Sequence, residues 1–206
     1  MFYFTKTPFW LKKSYPTCIW NFPSAKKKIY LSFDDGPHAA ATPFVLDQLK
    51  RYQAKASFFC IGKNVVAETE IYKRILNEGH RVGNHTFNHL DGWKADNKIY
   101  LQNIEMAREQ IDSDLFRPPY GRVSAFQIRN LIEKLKYKIV MWDVLAGDFD
   151  PTVDGKTSAA RVIKNARGGS IVVFHDSAKA LRVLQEALPI VLEHFSKEGY
   201  SFEAIK

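Results

Sequence analysis

Two adjacent carboxylates, Asp34 and Asp35, and two histidines four residues apart, His85 and His89, are the side chains best suited to chemistry. Two imidazoles and one carboxylate, with a fourth position left open, are a ligand set for a catalytic metal such as zinc. Residues four apart share a face on a helical turn, so His85-Thr86-Phe87-Asn88-His89 would bring both rings to one side if it formed such a turn. Histidines at this spacing also occur on plain surfaces or satisfied within a core. The acids have a simpler reading too, because Asp35-Gly36-Pro37 is turn chemistry by itself. Only the combination divides the labour, with one carboxylate for a metal and its neighbour for a proton. His175, which closes the apolar run Ile171-Val172-Val173-Phe174, is either a core residue or a general acid. Arg117, ahead of Pro118-Pro119-Tyr120-Gly121, either pairs with a surface acid or holds a catalytic Asp ionised.

These residues stand at the ends of short β-prone runs. Ile29 to Phe33 is the first, stopped by Asp34-Asp35-Gly36-Pro37; Ala56 to Ile61, His80 to Gly83 and Leu115 to Arg117 follow. Lys138 to Val144, Ser170 to Phe174 and Tyr200 to Ile205 complete the strands. Helical periodicity fills the intervals: a helix with Thr42 as cap and Pro43 first, then Thr69 to Glu78, Lys98 to Ile111, Phe126 to Leu135, Ala159 to Ala166, and Ala178 to Phe195 with Pro189 breaking or kinking the last. Alternating β and α units predict a parallel α/β sheet with right-handed crossovers, either open or closed into a small barrel. In such folds the carboxyl ends of the strands share one face, which gathers Asp34, Asp35, His85, His89, Arg117, Asp143, Asp148 and His175.

Composition narrows the rest. The chain has 206 residues, 46% hydrophobic and 25% charged, which suits one globular domain. Its two cysteines make no disulfide framework, and Cys60, within Ser57 to Ile61, is expected to be buried and inert. No run reaches the roughly 18 apolar residues of a spanning helix, and the aromatic start, interrupted by Lys6 and Pro8, does not read as a signal peptide. The default expectation is a cytoplasmic protein, with envelope association left open. The net charge is +8, and six lysines (Lys6, Lys12, Lys13, Lys26, Lys27, Lys28) precede Phe33 with no acid among them. They are a solvated surface or a contact to an anionic cell-wall polymer or membrane surface. No zinc-finger, helix-turn-helix or aromatic–basic sheet pattern points to nucleic acid.

Taken in order, five segments resemble the motifs of the polysaccharide deacetylase family, carbohydrate esterase family four: Ser32-Phe33-Asp34-Asp35-Gly36-Pro37, His85 to His89, Arg117 to Gly121, Trp142 to Phe149, and Val173-Phe174-His175. The resemblance runs from Lys28 to about Phe202. It implies a single-domain distorted (β/α)7 barrel over 28–206, with residues 1–27 as a basic, aromatic extension packed on it. It implies Asp34 as general base, Asp35, His85 and His89 as ligands of a divalent metal, usually zinc, Arg117 orienting Asp34, the Tyr120 N–H at the oxyanion, and His175 as general acid. Phe149, Val173 and Trp142 are the expected pocket lining, and Trp93 either stacks on a sugar or is buried. The fourth motif departs from the family's Asp-x-x-Asp-Trp, with Leu145 for the first Asp, Asp148 matching the second, and Phe149 for the Trp. The family's first Asp is expected to tune the catalytic histidine, so Asp143, on the same side of an extended strand, is read as its substitute. The implied activity is removal of N-acetyl groups from amino sugars of a chitooligosaccharide or peptidoglycan-like glycan. A related amidase on a non-sugar acyl amide and a non-catalytic metal- or glycan-binding module are the alternatives.

Overall fold

The computed structural model describes residues 3–22 and 26–206, so Met1, Phe2, Pro23, Ser24 and Ala25 of the expected extension lie outside the described residues. Eight parallel strands are described: β1 (Lys28–Asp34), β2 (Ser57–Cys60), β3 (Arg81–Asn84), β4 (Leu115–Phe116), β5 (Lys138–Ile139), β6 (Val144–Leu145), β7 (Ile171–His175) and β8 (Ser201–Phe202). They lie in the order β5-β4-β3-β2-β1-β7-β6, with β8 beside the start of β1. The helices are α1 (Phe9–Ser14), α2 (Ala41–Arg51), α3 (Gly62–Ala67), α4 (Thr69–Asn77), α5 (Asn97–Arg108), α6 (Ala125–Glu133), α7 (Gly155–Asn165) and α8 (Leu181–Lys197), with a 3-10 turn over Pro119–Gly121.

Strand alternation sorts the side chains. Ile29, Leu31 and Phe33 of β1, with Phe58 of β2 and Phe174 of β7, face outward and pack against α2, α7 and α8 through residues such as Leu46, Val162 and Leu188. The intervening residues face into the curl of the sheet, where Tyr30, Phe59 and Ile171 form a smaller core. Above that layer, Ser32 and Asp34 meet Arg117.

Local chemistry explains several boundaries. Asp96 caps α5 by accepting from the Lys98 and Ile99 N–H groups, Ser124 and Gln127 form a capping box at α6, and Asp154 caps α7. Thr42 does not cap α2. It sits inside the first turn, accepts the His38 N–H and donates its hydroxyl to Asp176. Pro189 does not break α8, which runs unbroken through it because Leu188, Val191 and Leu192 are buried on either side. Both cysteines are free and buried.

The expected strand over Lys138 to Val144 is two strands, β5 and β6, at opposite ends of the sheet path. The N-terminal segment occupies the seam between them. The Ile19 N–H donates to the Ile139 carbonyl and the Met141 N–H to that of Ile19, while the Phe22 N–H reaches the Gly169 carbonyl. Farther out, the Thr7 N–H donates to the Asp143 carbonyl and the Leu145 N–H to that of Thr5. Sheet edges left bare are liabilities, and these pairings cover them. Lys6 and Lys12 turn onto Asp143, Lys28 pairs with Glu203, and Lys27 donates to the Glu198 carbonyl, so much of the basic N-terminus is engaged within the fold. No helix among the described residues is long and apolar enough to cross a membrane.

Candidate active site

Asp34 ends the central strand, so its backbone is held on both sides and its carboxylate has one direction to face. Arg117, just past β4, meets it with Nη1 at 2.6 Å from Asp34 Oδ1. The guanidinium is fully buried, and all its remaining bonds are local: to the Val140 and Met141 carbonyls, to Ser32 Oγ, and over the Phe59 ring at 3.9 Å. A buried ion pair requires such saturation, because desolvating either charge costs several kcal/mol.

Asp35 follows with φ of 79°, which swings its carboxylate away from that of Asp34 and toward His85 and His89. Gly36 makes the turn possible, since a Cβ there would meet the Asp176 carboxylate at 2.0 Å. Asp176, fully buried, accepts the Gly36 N–H at 3.0 Å and the Thr42 hydroxyl, pinning the turn. Burial, and next to it the charge of Asp35, outweighs these bonds and pushes the Asp176 pKa up to about 8. Sequence reasoning missed Asp176, although an acid directly after the strand-end His175 was its signal.

His85 and His89 do not lie on a helical turn. Thr86 and His89 have positive φ, 63° and 58°, and side chains replace the missing helical bonds. Asn84 Oδ1 accepts the Thr86 N–H, Asn103 Oδ1 accepts those of Phe87 and Asn88, and Thr86 Oγ1 accepts that of Leu90. The loop still converges the rings, whose centroids are 5.1 Å apart. One ligand atom from each of Asp35, His85 and His89 lies within 4.8 Å of the others.

Three observations fit this trio to a divalent metal. His85 Nδ1 is 2.7 Å from the Arg117 carbonyl, which requires the proton on Nδ1 and leaves Nε2 with its lone pair facing Asp35. Burial lowers the His85 pKa to about 4, so the ring is neutral near pH 7. Asp35 Oδ1 is buried without a well-directed hydrogen bond, although His89 Nε2 is 3.1 Å away. Burial alone would raise the Asp35 pKa, yet the facing imidazoles of His89, His175 and His85 keep it below the ordinary carboxylate range.

His175 closes β7 opposite this trio. Asp148 holds it twice, with Oδ2 accepting the backbone N–H at 2.7 Å and Oδ1 2.8 Å from Nδ1. Burial would lower the His175 pKa, but the Asp148 carboxylate, joined by Asp35 and Asp34, overrides it and raises the value to about 9. The Phe149 ring stands edge-on to the imidazole at 5.1 Å.

Asp143 does not partner His175, and register is the reason. The Asp143 N–H donates to the Ile171 carbonyl, while β6 runs beside β7 with Leu145 opposite Val173. Asp143 is therefore level with Ile171, four residues or about 13 Å along the strand from His175. Its carboxylate binds Lys6, Lys12 and Ser170 Oγ instead. The partner of His175 is the second acid position of the fourth motif, Asp148, so the acid-to-Leu145 change leaves that pairing intact. Asp148 reaches His175 because Gly147, at φ of 76°, turns the chain back after β6.

The expected lining residues are spread out. Val173 is buried in β7 beneath His175, and Trp142 packs behind the Pro119–Gly121 turn, near enough that a Cβ on Gly121 would meet it at 2.7 Å. Tyr120, at φ of 60°, sets its ring 4.7 Å from that of His89. Trp93 is 63% exposed, which removes the buried reading.

A parallel α/β sheet that curls around a buried Asp–Arg pair, with an Asp-His-His cluster and an Asp–His pair at its carboxyl ends, defines a hydrolase scaffold of the metal-dependent deacetylase type. The family model for polysaccharide deacetylases matches residues 22–140, and the chain belongs to that family. It is 35% identical over 192 residues to a peptidoglycan-N-acetylglucosamine deacetylase of Bacillus cereus, covering 90% of each chain. It is 34% identical to the peptidoglycan-N-acetylglucosamine deacetylase PgdA of Listeria monocytogenes, over 89% of this chain but only 39% of that longer protein. The crystal structure of the Bc1960 peptidoglycan N-acetylglucosamine deacetylase superposes with a TM-score of 0.85 at 30% identity, covering 97% of this chain and 95% of that one. The fold is thus the (β/α)7 barrel of carbohydrate esterase family four.

Proposed function

We propose that this chain is a metal-dependent N-deacetylase acting on N-acetylglucosamine units of a glycan, with peptidoglycan the favoured polymer and zinc the favoured ion. The observation that carries the reading is the convergence of three differently tuned groups on one mouth: the Asp35-His85-His89 trio, the Arg117-held Asp34, and the Asp148-held His175. The choice of glycan follows the activity of the similar Bacillus cereus and Listeria monocytogenes proteins. Residues 28–206 are read as the catalytic domain and residues 1–27 as its N-terminal extension, of which the described residues 3–22 pair with the domain through Thr5, Thr7, Ile19 and Phe22.

Bound by Asp35, His85 and His89, the metal would supply Lewis acidity toward the acetamide and lower the pKa of water. The protein's own groups handle the protons. Asp34, aimed by Arg117, takes a proton from the attacking water. The Tyr120 N–H donates to the developing oxyanion. His175, protonated at neutral pH because its pKa is raised to about 9, donates to the departing amine. Phe149, beside that imidazole, walls the acetyl methyl. Acetate and a free amino sugar result. Because Asp148 retains its hold on His175, the altered fourth motif gives no support to a non-catalytic module.

Acetate release from peptidoglycan and from N-acetylglucosamine oligomers, measured on zinc-loaded protein, tests the reading. Release that stops on chelation and returns with zinc is expected. No release from either substrate by metal-loaded protein would overturn it.

A further inference from the structure

The metal ligands come from two segments that are not adjacent in the sheet. Asp35 follows β1, His85 and His89 follow β3, and β2 lies between those strands. Strand pairing spaces the segments only as far as Asp34 opposite Phe59 and Cys60 opposite Asn84. On each side the last paired residue is the one before a ligand. We propose that the corner from β2 into α3, residues 61–64, carries the spacing past the strand ends, and that Asn64 is a positioning residue for the metal ligand Asp35. The inference rests on the metal-dependent reading of the Asp-His-His trio.

The corner bonds to both ligand segments. Toward the acid, the Ile61 N–H donates to the Gly36 carbonyl at 2.9 Å, and Asn64 Nδ2 donates to the Asp35 carbonyl at 2.7 Å. Toward the histidines, the Gly62 N–H donates to the Thr86 carbonyl at 3.0 Å and the Lys63 N–H to that of Phe87 at 3.1 Å. Those last two N–H groups open α3, where the helix has no carbonyl of its own to offer them, and no side chain caps it. The histidine loop supplies the acceptors. Gly62 permits the approach, since a Cβ there would meet the Phe87 ring at 2.6 Å and the Ala107 Cα at 3.1 Å.

Asn64 stands apart because its bond comes from the side chain, so a change of residue removes it. An Asn in a helix usually bonds nearby backbone, yet this one reaches 29 residues back. A carbonyl only accepts, so the amide nitrogen faces Asp35. Asp35 needs the hold. Its φ of 79° lies in the left-handed region, which residues other than glycine occupy when their surroundings fix them there. Asp176 secures the turn from one side, through the Gly36 N–H, and Asn64 from the other.

The test measures metal binding apart from turnover. Asn64→Ala removes the amide, and Asn64→Leu replaces it with an apolar group of similar shape. Both new residues favour helix, so α3 keeps its propensity. Zinc affinity is measured on metal-free protein by chelator competition, and the visible absorption spectrum of cobalt(II) at the same site reports its coordination geometry. Both variants are expected to bind zinc about 10–100-fold more weakly than wild type, the range for groups that hold metal ligands in place, and to alter the cobalt spectrum. Val66→Ala, at an exposed position of the same helix, is expected to match wild type in both readouts. Affinity within about twofold of wild type and an unchanged cobalt spectrum in both Asn64 variants overturn the proposal. Wild-type affinity in Asn64→Leu alone also overturns it, because shape and not the amide is then what matters. Wild-type protein that binds neither zinc nor cobalt overturns the metal reading itself, a separate failure.

Discussion

The two sides of the active site are built differently. On the side of β1, β2, β3 and β7 the strands pair in register, and the functional side chains sit on a strand end or one residue beyond it: Asp34, Asp35, His85 and His175. On the side of β5 and β6 the sheet is interrupted, and the functional residue, Asp148, is delivered by a glycine-turned loop. Where pairing is continuous, position along the chain converts directly into position in space. Where it is broken, the loop decides, and two acids five residues apart end at opposite ends of the barrel.

The largest test of this contrast falls on the continuous side. His85→Ala removes a ligand that is buried, neutral and fixed in tautomer by the Arg117 carbonyl. Bound zinc and acetate release should both fall to background, read by metal analysis and by assay of the same sample. Activity retained without metal would break the division of roles.

Asp148→Asn probes the loop side. Loss of the carboxylate lowers the His175 pKa from about 9, so the alkaline limb of the pH–rate profile should move to lower pH. The rate at pH 7 should fall by about 10² or more, in the range expected for a mis-set general acid. A profile unchanged in shape would remove Asp148 from the mechanism.

A smaller loss is expected from Gly36→Ala, because its Cβ collides with the Asp176 carboxylate and must displace the turn that aims Asp35. Zinc affinity, measured by chelator competition, should weaken by about 10–100-fold, as for other residues that support metal ligands. Unchanged affinity would show that the turn yields without moving Asp35.

Asp143→Asn should affect stability and not the pH–rate profile. The carboxylate is buried on Lys6, Lys12 and Ser170, and its loss should cost about 1–3 kcal/mol in denaturant unfolding at pH 7. Burial raises its pKa, but the two lysines and Ser170 lower it further, to a folded value below the unfolded one. Its contribution is therefore present above the ordinary carboxylate pKa near 4 and lost as pH falls through the folded value, so mutant and wild type should converge in acid. A shifted pH–rate profile in this variant would reopen its link to His175.

Legibility in the sequence follows the same divide. The β–α alternation, the strand-end acids and the His pair could be read because period-2 burial and turn residues mark them directly. The barrel itself came from family resemblance, since periodicity does not distinguish an open sheet from a closed one. The non-helical path of the His85–His89 segment was not legible because Asn84, Asn103 and Thr86 replace backbone bonds with side-chain bonds, which no hydrophobic period records. The Asp143 assignment failed for another reason. Extended-strand parity correctly puts it on the inner side, but parity says nothing of height along the barrel, which depends on pairing to Ile171.

The seam carries a consequence for how the chain acquires this shape. Thr5, Thr7, Ile19 and Phe22 bond to residues at 139–145 and 169, so this segment completes its pairings only once the chain as far as Gly169 has been made. Contacts of such long sequence separation form slowly, and until they do, Trp20, only 6% exposed in the folded chain, stands without its seat. Closure of the barrel at this seam is therefore expected to follow assembly of the local β–α units, and conditions that delay it should leave the face that seats Trp20 open to aggregation.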